Sequence, residues 1–265
     1  MAVAIDQLCD DLLAETEDLV PLVASLSPAA WETSTPAPGW SVRDQIGHLA
    51  YFDEQVSVAA TDPHTFREVR RQALADVDGF VDRATRATRS RPTADLVPWL
   101  RQARQAMIES VGALAPDVRI PWFGPDMSVA SALTARIMET WAHGQDVADG
   151  LGEIRTPSAR LRHVAFLGYR SLPNSYRSRG LEVPDAPVRV ELDATDGEPW
   201  AFGPEAAADR VNGPAVDFCL VVTQRRHLDD TDLVCNGPVA SEWMGIAQAF
   251  AGPPGAGRRP GQFKS

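Results

Sequence analysis

The feature that most constrains the fold is a change in sequence periodicity near residue 155. Upstream of it, apolar residues recur at the three- to four-residue spacing of amphipathic helices. Downstream, stretches such as PVRVELDA alternate apolar and polar residues, as half-buried strands do. We therefore predict an α+β protein, with an up-and-down four-helix bundle over residues 1–154, a smaller α/β domain over 155–252 and a flexible Pro- and Gly-rich tail over 253–265.

The first half is expected to contain four or five helices with short connections. They are predicted to begin near the N-terminus, at Ser41, at Thr65, near Thr93 and at Ser128. Ser41 and Asp44 have the spacing of a capping box, and Thr65 and Glu68 offer a second one. Bundles of this kind commonly build metal sites from side chains on facing helices.

The second half is expected to begin with one helix over SARLRHVAFLGYRSL. Three strands should follow, at PVRVELDA, EPWAFG and ADRVNG. A helix opening at Pro214, a short strand at TDLVCNG and a final amphipathic helix over VASEWMGIAQAFAG complete the prediction.

Charge and composition exclude several classes of protein. The formal net charge of −11 argues against a general nucleic-acid binder, which needs a basic face toward the phosphate backbone. The longest apolar stretches fall far short of the roughly 20 residues that span a bilayer, and the acidic start is unlike a secretion signal. Cys9, Cys219 and Cys235 form no CxxC pair, which indicates reduced structural thiols. We therefore predict a cytoplasmic protein with neither nucleic acid nor membrane as a partner.

A metal site is indicated by METWAHGQDVAD, in which Glu139 and His143 lie four residues apart on a predicted helix. His48 lies on the inward face of another helix, in GWSVRDQIGHLAYF. Two histidines and one carboxylate form a three-ligand set for a divalent metal with coordination positions left free. The alternative is a core histidine bonded to a carbonyl and a solvated Glu139. The apolar neighbours of Glu139 favour an inward carboxylate, which would be costly without a partner.

Four other polar residues of the sequence are of types found at metal sites. Asp146 lies one helical turn beyond His143 and could receive the second imidazole proton, although a surface carboxylate is an equal alternative. His64, His163 and His227 lie among charged or loop residues, and we expect them to be solvated.

Together, GWSVRDQIGHL and METWAHGQDVAD resemble the metal-binding N-terminal domain of the mycothiol-dependent maleylpyruvate isomerases, within the wider DinB-like superfamily of helical bundles. The resemblance implies that His48, Glu139 and His143 hold a divalent metal, usually zinc. It places the metal near the site of the low-molecular-weight thiol mycothiol, and it implies an actinobacterial source.

The resemblance extends into the second half, where GPAVDFCLVVTQRRHLDD and CNGP are similar to the family's small α/β domain, itself related to sterol-carrier-like folds. It implies that Arg225 reaches toward the substrate, with Arg226 beside it, and Arg177 and Arg179 are weaker candidates. The run DFCLVVTQRRH, with Gln224 before the arginine pair, departs from the isomerase and looks like a separate, uncharacterised branch. The identity of the substrate therefore does not carry over.

Three functions follow as hypotheses. The first is a metal-dependent enzyme in which a thiol activated by the metal attacks a small electrophilic acid, for isomerisation or for S-transfer, while Arg225 stabilises negative charge on the substrate. The second is a metal-water hydrolase, for which the sequence identifies no general base. The third is a non-catalytic metal or ligand-binding protein. The oligomeric state stays open, as does whether Trp122 and Phe123 form a pocket wall or pack against the second domain.

Overall fold

The computed structural model describes residues 4–194 and 197–263. The chain divides into two compact units, Met1–Arg155 and Thr156–Ser265. The first unit is helical apart from one short hairpin, and the second combines helices with a four-stranded sheet, so the predicted α+β class is confirmed. Among the described residues, no helix combines the length and apolar character needed to cross a membrane.

The described part of the first unit contains four long α-helices and two shorter ones. They are α1 (Ile5–Val23), α2 (Val42–Thr61), α3 (Pro63–Leu74), α4 (Val77–Ala87), α5 (Leu96–Gly112) and α6 (Val129–Leu151). Helix α2 packs against both α5 and α6, and α1 packs against the same two helices. The four long helices therefore form the bundle, with α3 and α4 packed against α2.

The prediction of one helix beginning at Thr65 is wrong, because the chain forms two helices, α3 and α4, in this region. Asp76 separates them, and its side chain accepts a hydrogen bond from the backbone N–H of Gly79, which starts the second helix. The start of α3 also differs from the prediction. Its cap is Asp62, which accepts from the backbone N–H of Thr65.

The predicted capping box at the start of α2 is confirmed. Buried Asp44 accepts a hydrogen bond from the backbone N–H of Ser41, at 2.8 Å, and two more from the guanidinium of Arg89, just beyond α4. Burial alone would raise the pKa of Asp44, but the hydrogen bonds from Arg89 and Ser41 outweigh it and hold the pKa below its ordinary value. The start of α2 is thus tied to the segment that follows α4.

A buried ion-pair network joins the four long helices. Asp53 on α2 accepts from Arg104 Nε on α5 at 2.7 Å and from Arg136 Nε on α6 at 2.8 Å. Arg104 also donates to the hydroxyls of Thr16 on α1 and Thr140 on α6. Burial lowers the pKa of Arg104, and the Asp53 carboxylate opposes that shift. Asp53, Arg104 and Arg136 are all buried. Removing one of them would therefore leave an uncompensated charge in the interior, which is strongly destabilising.

The connection between α5 and α6 contains a hairpin that was not predicted, formed by β1 (Arg119–Ile120) and β2 (Met127–Ser128). Its tip carries Trp122 and Phe123. These rings pack within the first unit, where Trp122 stacks on Phe66 with centroids 5.7 Å apart and Phe123 lies 5.0 Å from the same ring.

The second unit consists of helices packed with a mixed sheet. Its helices are α7 (Leu161–Arg170), α8 (Leu172–Arg177), α9 (Ala215–Val222) and α10 (Pro238–Ile246). Its strands are β3 (Val188–Asp193), β4 (Trp200–Phe202), β5 (Asp209–Pro214) and β6 (Val234–Asn236), in the order β4-β3-β5-β6. Strands β3 and β5 are parallel, and the other pairs are antiparallel.

Two predicted helices of this unit differ from the structure. The stretch SARLRHVAFLGYRSL was expected to be one helix, but the chain turns at Ser171 and starts α8 with Pro173 in its first turn. The last helix is shorter than predicted, because it ends at Ile246.

The described part of the predicted tail contacts the second unit. The backbone N–H of Gly255 donates to Gln248, and that of Gly261 donates to Asp230. Phe263 lies under the guanidinium of Arg226, 5.0 Å from the ring centroid. Flexibility of the tail stays a prediction, and these are the contacts that its motion would have to break.

Replacing Asp53 by alanine is expected to lower the free energy of unfolding by about 3–5 kcal/mol, because two buried guanidinium groups lose their counterion. Urea unfolding followed by far-ultraviolet circular dichroism measures the loss. The matched control is Glu17→Ala, which breaks an exposed pair with Arg101 between α1 and α5 and should cost less than about 1 kcal/mol. Equal losses in the two variants would contradict the assignment.

Candidate metal centre

Helices α2 and α6 bring the three predicted ligands together. His48 comes from α2, and Glu139 and His143 come from successive turns of α6. Glu139 Oε2 lies 3.0 Å from His143 Nε2 and 4.0 Å from His48 Nε2. One ligand atom from each residue lies within 4.8 Å of the other two. Three donor atoms therefore surround a space of the size of one metal ion.

The burial of the three residues decides between the two interpretations of Glu139. His48 and His143 are buried, and the side chain of Glu139 is 23% exposed. A solvated charge on an outer helix face would be far more exposed, so Glu139 is turned inward, as expected from its neighbours. Two imidazoles and one carboxylate are a donor set that zinc takes in catalytic sites.

A chain of hydrogen bonds fixes the ring of His143. The carbonyl of Trp40 only accepts, so the hydroxyl of Thr35 must donate to it, at 3.0 Å. Thr35 Oγ1 then accepts from Gln45 Nε2 at 2.8 Å, which turns Gln45 Oε1 toward His143 Nδ1. Gln45 is fully buried. The direction of this chain leaves the proton of neutral His143 on Nδ1 and the lone pair on Nε2.

The free lone pair on His143 Nε2 determines what kind of contact His143 can make with Glu139. Nε2 presents a lone pair to a carboxylate oxygen 3.0 Å away, and two acceptors attract each other at that distance only when a cation lies between them. A proton or a metal ion meets this requirement. The residues present therefore fit a metal ion, on the basis of hydrogen-bond direction as well as donor type.

His48 is held by a different set of contacts. Its Nδ1 lies 3.4 Å from the hydroxyl of Thr85 on α4, and its Nε2 faces Glu139. The rings of Trp40 and Phe52 lie 5.1 Å and 4.5 Å from the imidazole, centroid to centroid. The ring is thus enclosed, with one nitrogen directed to the cluster.

Trp40 closes one side of the cluster. Its indole stacks on His143 with centroids 5.8 Å apart and planes inclined by 17°. Its Nε1 donates to Asp82 on α4 at 2.9 Å, which fixes the ring in place. Helix α4 therefore supports both histidines, one through Thr85 and the other through Asp82 and Trp40.

Gly47 allows α2 to pack closely against the segment that follows α4. A Cβ at this position would lie 2.3 Å from the hydroxyl oxygen of Thr88, closer than real Cβ atoms come to any neighbour. A larger residue would require either α2 or the side chain of Thr88 to move, and the hydroxyl of Thr88 is already held by its hydrogen bond to the carbonyl of Thr85.

Gln45 was not among the residues predicted for the site. Asp146 was a candidate partner for the second nitrogen of His143, but the structure gives that place to Gln45, and Asp146 is itself buried on α6. The available signal was the three-residue spacing of Gln45 and His48, which puts both on one face of α2. As expected, His64 is exposed.

The remaining predicted residues lie in the second unit. Arg225 follows α9 and is half-buried, and its Nη1 donates to the carbonyl of Thr223. Gln224 before it has a φ of 60°, a left-handed conformation rare for residues with a Cβ, and its Nε2 donates to the carbonyl of Ala247. Arg226 stacks on Phe263. The role of Arg225 toward a substrate stays a prediction.

The weaker arginine candidates have local roles. Arg177 is exposed at the end of α8. Arg179 donates to the carbonyl of Ser175 at 3.2 Å, and burial lowers its pKa below the ordinary value.

Comparison with known proteins relates the chain to one family over most of its first unit. The sequence profile of the mycothiol maleylpyruvate isomerase N-terminal domain matches residues 12–148. A profile described as wyosine base formation matches residues 184–236. Two uncharacterised proteins from strains of Mycobacterium tuberculosis are each 46% identical over 248 residues, which cover 94% of this chain and 96% of theirs.

Solved structures show the same fold. The crystal structure of the mycothiol-dependent maleylpyruvate isomerase has a TM-score of 0.59 at 12% identity, covering 84% of this chain and 90% of that one. A variant of that enzyme with one histidine replaced by alanine has a TM-score of 0.60 at 13% identity, covering 89% and 97%.

Replacing Gln45 by leucine, which keeps the volume but removes the acceptor, is expected to weaken zinc binding by about 10–100-fold, because His143 loses the group that orients its ring. Competition with a chromophoric chelator measures the affinity. Gln45→Glu should recover most of it, and the exposed Gln105→Leu should leave it unchanged. Wild-type affinity in Gln45→Leu would rule out the orienting role.

Proposed function

Because the chain belongs to the mycothiol maleylpyruvate isomerase family, we propose that it is a metal-dependent enzyme using a low-molecular-weight thiol, mycothiol, to act on a small electrophilic acid. The reaction is isomerisation of the acid or transfer of the thiol to it. The observation that carries the proposal is the cluster of His48, Glu139 and His143, with an imidazole nitrogen and a carboxylate oxygen 3.0 Å apart.

The cluster would hold one divalent metal ion. Two imidazoles and one carboxylate favour zinc among the available metals, and three protein ligands leave room for a further one. When bound, such an ion lowers the pKa of a coordinated thiol, so that the thiolate is available near neutral pH. The chain's own contribution is to hold both histidines with one nitrogen directed inward, through Gln45 and Thr85.

In the proposed reaction, the reactive thiol comes from a cosubstrate. Burial raises the pKa of Cys9, Cys219 and Cys235, so each stays a protonated and poorly nucleophilic thiol at neutral pH. These cysteines are structural, and a low-molecular-weight thiol supplies the nucleophile instead.

The proposed substrate has to react with a thiolate nucleophile and to carry negative charge that a guanidinium can stabilise. The thiolate adds to an electron-poor cis double bond, and the electron pair moves onto the conjugated carbonyl as an enolate. Rotation about the new single bond and departure of the thiolate give the trans isomer. In a transferase, the enolate takes a proton and the adduct is released. Arg225 would bind the carboxylate or enolate through its planar fork of donors.

Purified protein grown with ample zinc is expected to contain about one zinc per chain, because three ligands converge on one site. His48→Ala and His143→Ala should each lose it, while His64→Ala, at an exposed position on α3, should keep it. Elemental analysis gives the metal content, and titration with mycothiol tests whether thiol binding needs the metal. Full metal content in both ligand variants would contradict the proposed site.

Replacing Arg225 by alanine is expected to lower turnover about a hundredfold, the scale observed when one donor to a developing negative charge is removed. Arg225→Lys should recover only part, because an ammonium lacks the planar fork. Mycothiol-dependent conversion of cis-configured conjugated acids, beginning with maleylpyruvate, provides the assay. The exposed Arg162→Ala on α7 serves as the control.

The same assay separates the competing functions. Turnover that does not require a thiol would favour the metal-water hydrolase, and zinc and thiol binding without turnover of any such acid would favour a non-catalytic binding protein. Either result would overturn the proposed reaction.

A further inference from the structure

A cavity of about 460 Å³ opens on the surface of the first unit, and none of the three candidate ligands lines it. Half of its lining residues are exposed, Arg91 among them. Residues of α2, α3, α4 and α5 line it, together with the segment between α4 and α5. Its volume falls within the range of about 300–1,000 Å³ that is typical of small-molecule sites.

The walls of the cavity suit a flat apolar body. Tyr51, Phe80 and Trp99 contribute three aromatic rings from three different helices. Ala84 and Ala87 add small side chains on α4, which leave the space between the rings open. An aromatic ring bound there would find stacking or edge contacts on more than one side.

One positively charged side chain at the cavity, that of Arg91, can bind an anion. The guanidinium of Arg91 stacks on Trp99, 4.1 Å from the ring centroid. Within residues 4–194 and 197–263, no ion pair or hydrogen bond engages this guanidinium. Stacking leaves its edge free, and that edge presents paired N–H donors that match a carboxylate.

The neighbouring charges are already engaged. Arg83, the second arginine of the lining, pairs with Asp76. Glu54 accepts a hydrogen bond from Trp99 Nε1 at 2.6 Å. Glu54 lies outside the lining, and its bond to a neutral indole leaves its negative charge in place. Of the two arginines that line the cavity, Arg91 is the one without an ion pair among the described residues.

Tyr51 supplies a hydroxyl donor. Burial, and then the nearby Glu54 carboxylate, raise its pKa, so the hydroxyl stays protonated at neutral pH. The side chains of Thr88 and Ser90 add further hydroxyl groups to the lining.

Helix α4 and the residues after it separate the cavity from the metal cluster. Thr85 on α4 faces His48, and Thr88 fills the space against Gly47. The cavity is thus a site of its own, with different chemistry from that of the cluster.

We propose that this cavity binds a planar aromatic carboxylate, with the ring among Tyr51, Phe80 and Trp99 and the carboxylate on Arg91. Binding needs neither the metal nor the thiol, so it is independent of the proposed reaction. Cinnamate is a suitable probe, because it combines a flat ring with a carboxylate, and cinnamamide is its uncharged counterpart.

Isothermal titration calorimetry with full-length protein tests the proposal. Cinnamate should bind the wild type and the His143→Ala variant equally, and cinnamamide should bind at least tenfold more weakly. Arg91→Gln should reduce cinnamate affinity to that of the amide, whereas Arg71→Gln, an exposed arginine on α3, should not change it. Ala84→Leu should abolish binding of both ligands by filling the cavity.

Three results would overturn the proposal. Cinnamate binding that persists in Ala84→Leu would place the ligand elsewhere, and equal affinity in the wild type and Arg91→Gln would remove the role of the guanidinium. Absence of cinnamate binding to the wild type would refute the site as a whole. Thermal unfolding confirms that each variant is folded, and none of these results depends on metal content or turnover.

Discussion

The structure of the first unit depends on the buried carboxylate of Asp53. It lies between the guanidinium groups of Arg104 and Arg136, and a buried charge is tolerated only where its partners are correctly placed. This requirement fixes α2 against α5 and α6. Arg136 also donates to the backbone carbonyl of Leu49, next to His48, and lies three residues before Glu139. The ion pairs therefore set the register in which the candidate ligands of the two helices meet.

A second set of contacts, a chain of hydrogen bonds with one fixed direction, orients the imidazole of His143 in the cluster. The chain begins at the carbonyl of Trp40, passes through Thr35 and Gln45, and ends at the ring of His143. Because a carbonyl cannot donate, every later group in the chain has only one orientation. The protein thus determines which imidazole nitrogen is free, and this pre-organisation saves the cost of ordering the ring on binding.

Local features of the sequence were predictable, and contacts distant in sequence were not. The spacing of Glu139 and His143 and the cap at Ser41 depend on neighbouring residues, so the pattern indicated them correctly. The helical pattern of the sequence continues without interruption through Asp76, where the structure has a break. Periodicity cannot show whether an aspartate caps a new helix or is an exposed charge on a continuous one. The partners of Asp53 lie 51 and 83 residues away, and no local pattern identifies them.

Helix α4 links the two sites of this unit, because different residues of one short helix serve both. Thr85 contacts His48, whereas Phe80 and Ala84 line the cavity. The helix is itself held by the hydrogen bond that Trp40 Nε1 donates to Asp82. The candidate metal ligands lie on α2 and α6, and none of them lines the cavity. We therefore expect α4 to position both sites while a ligand in the cavity binds independently of the metal.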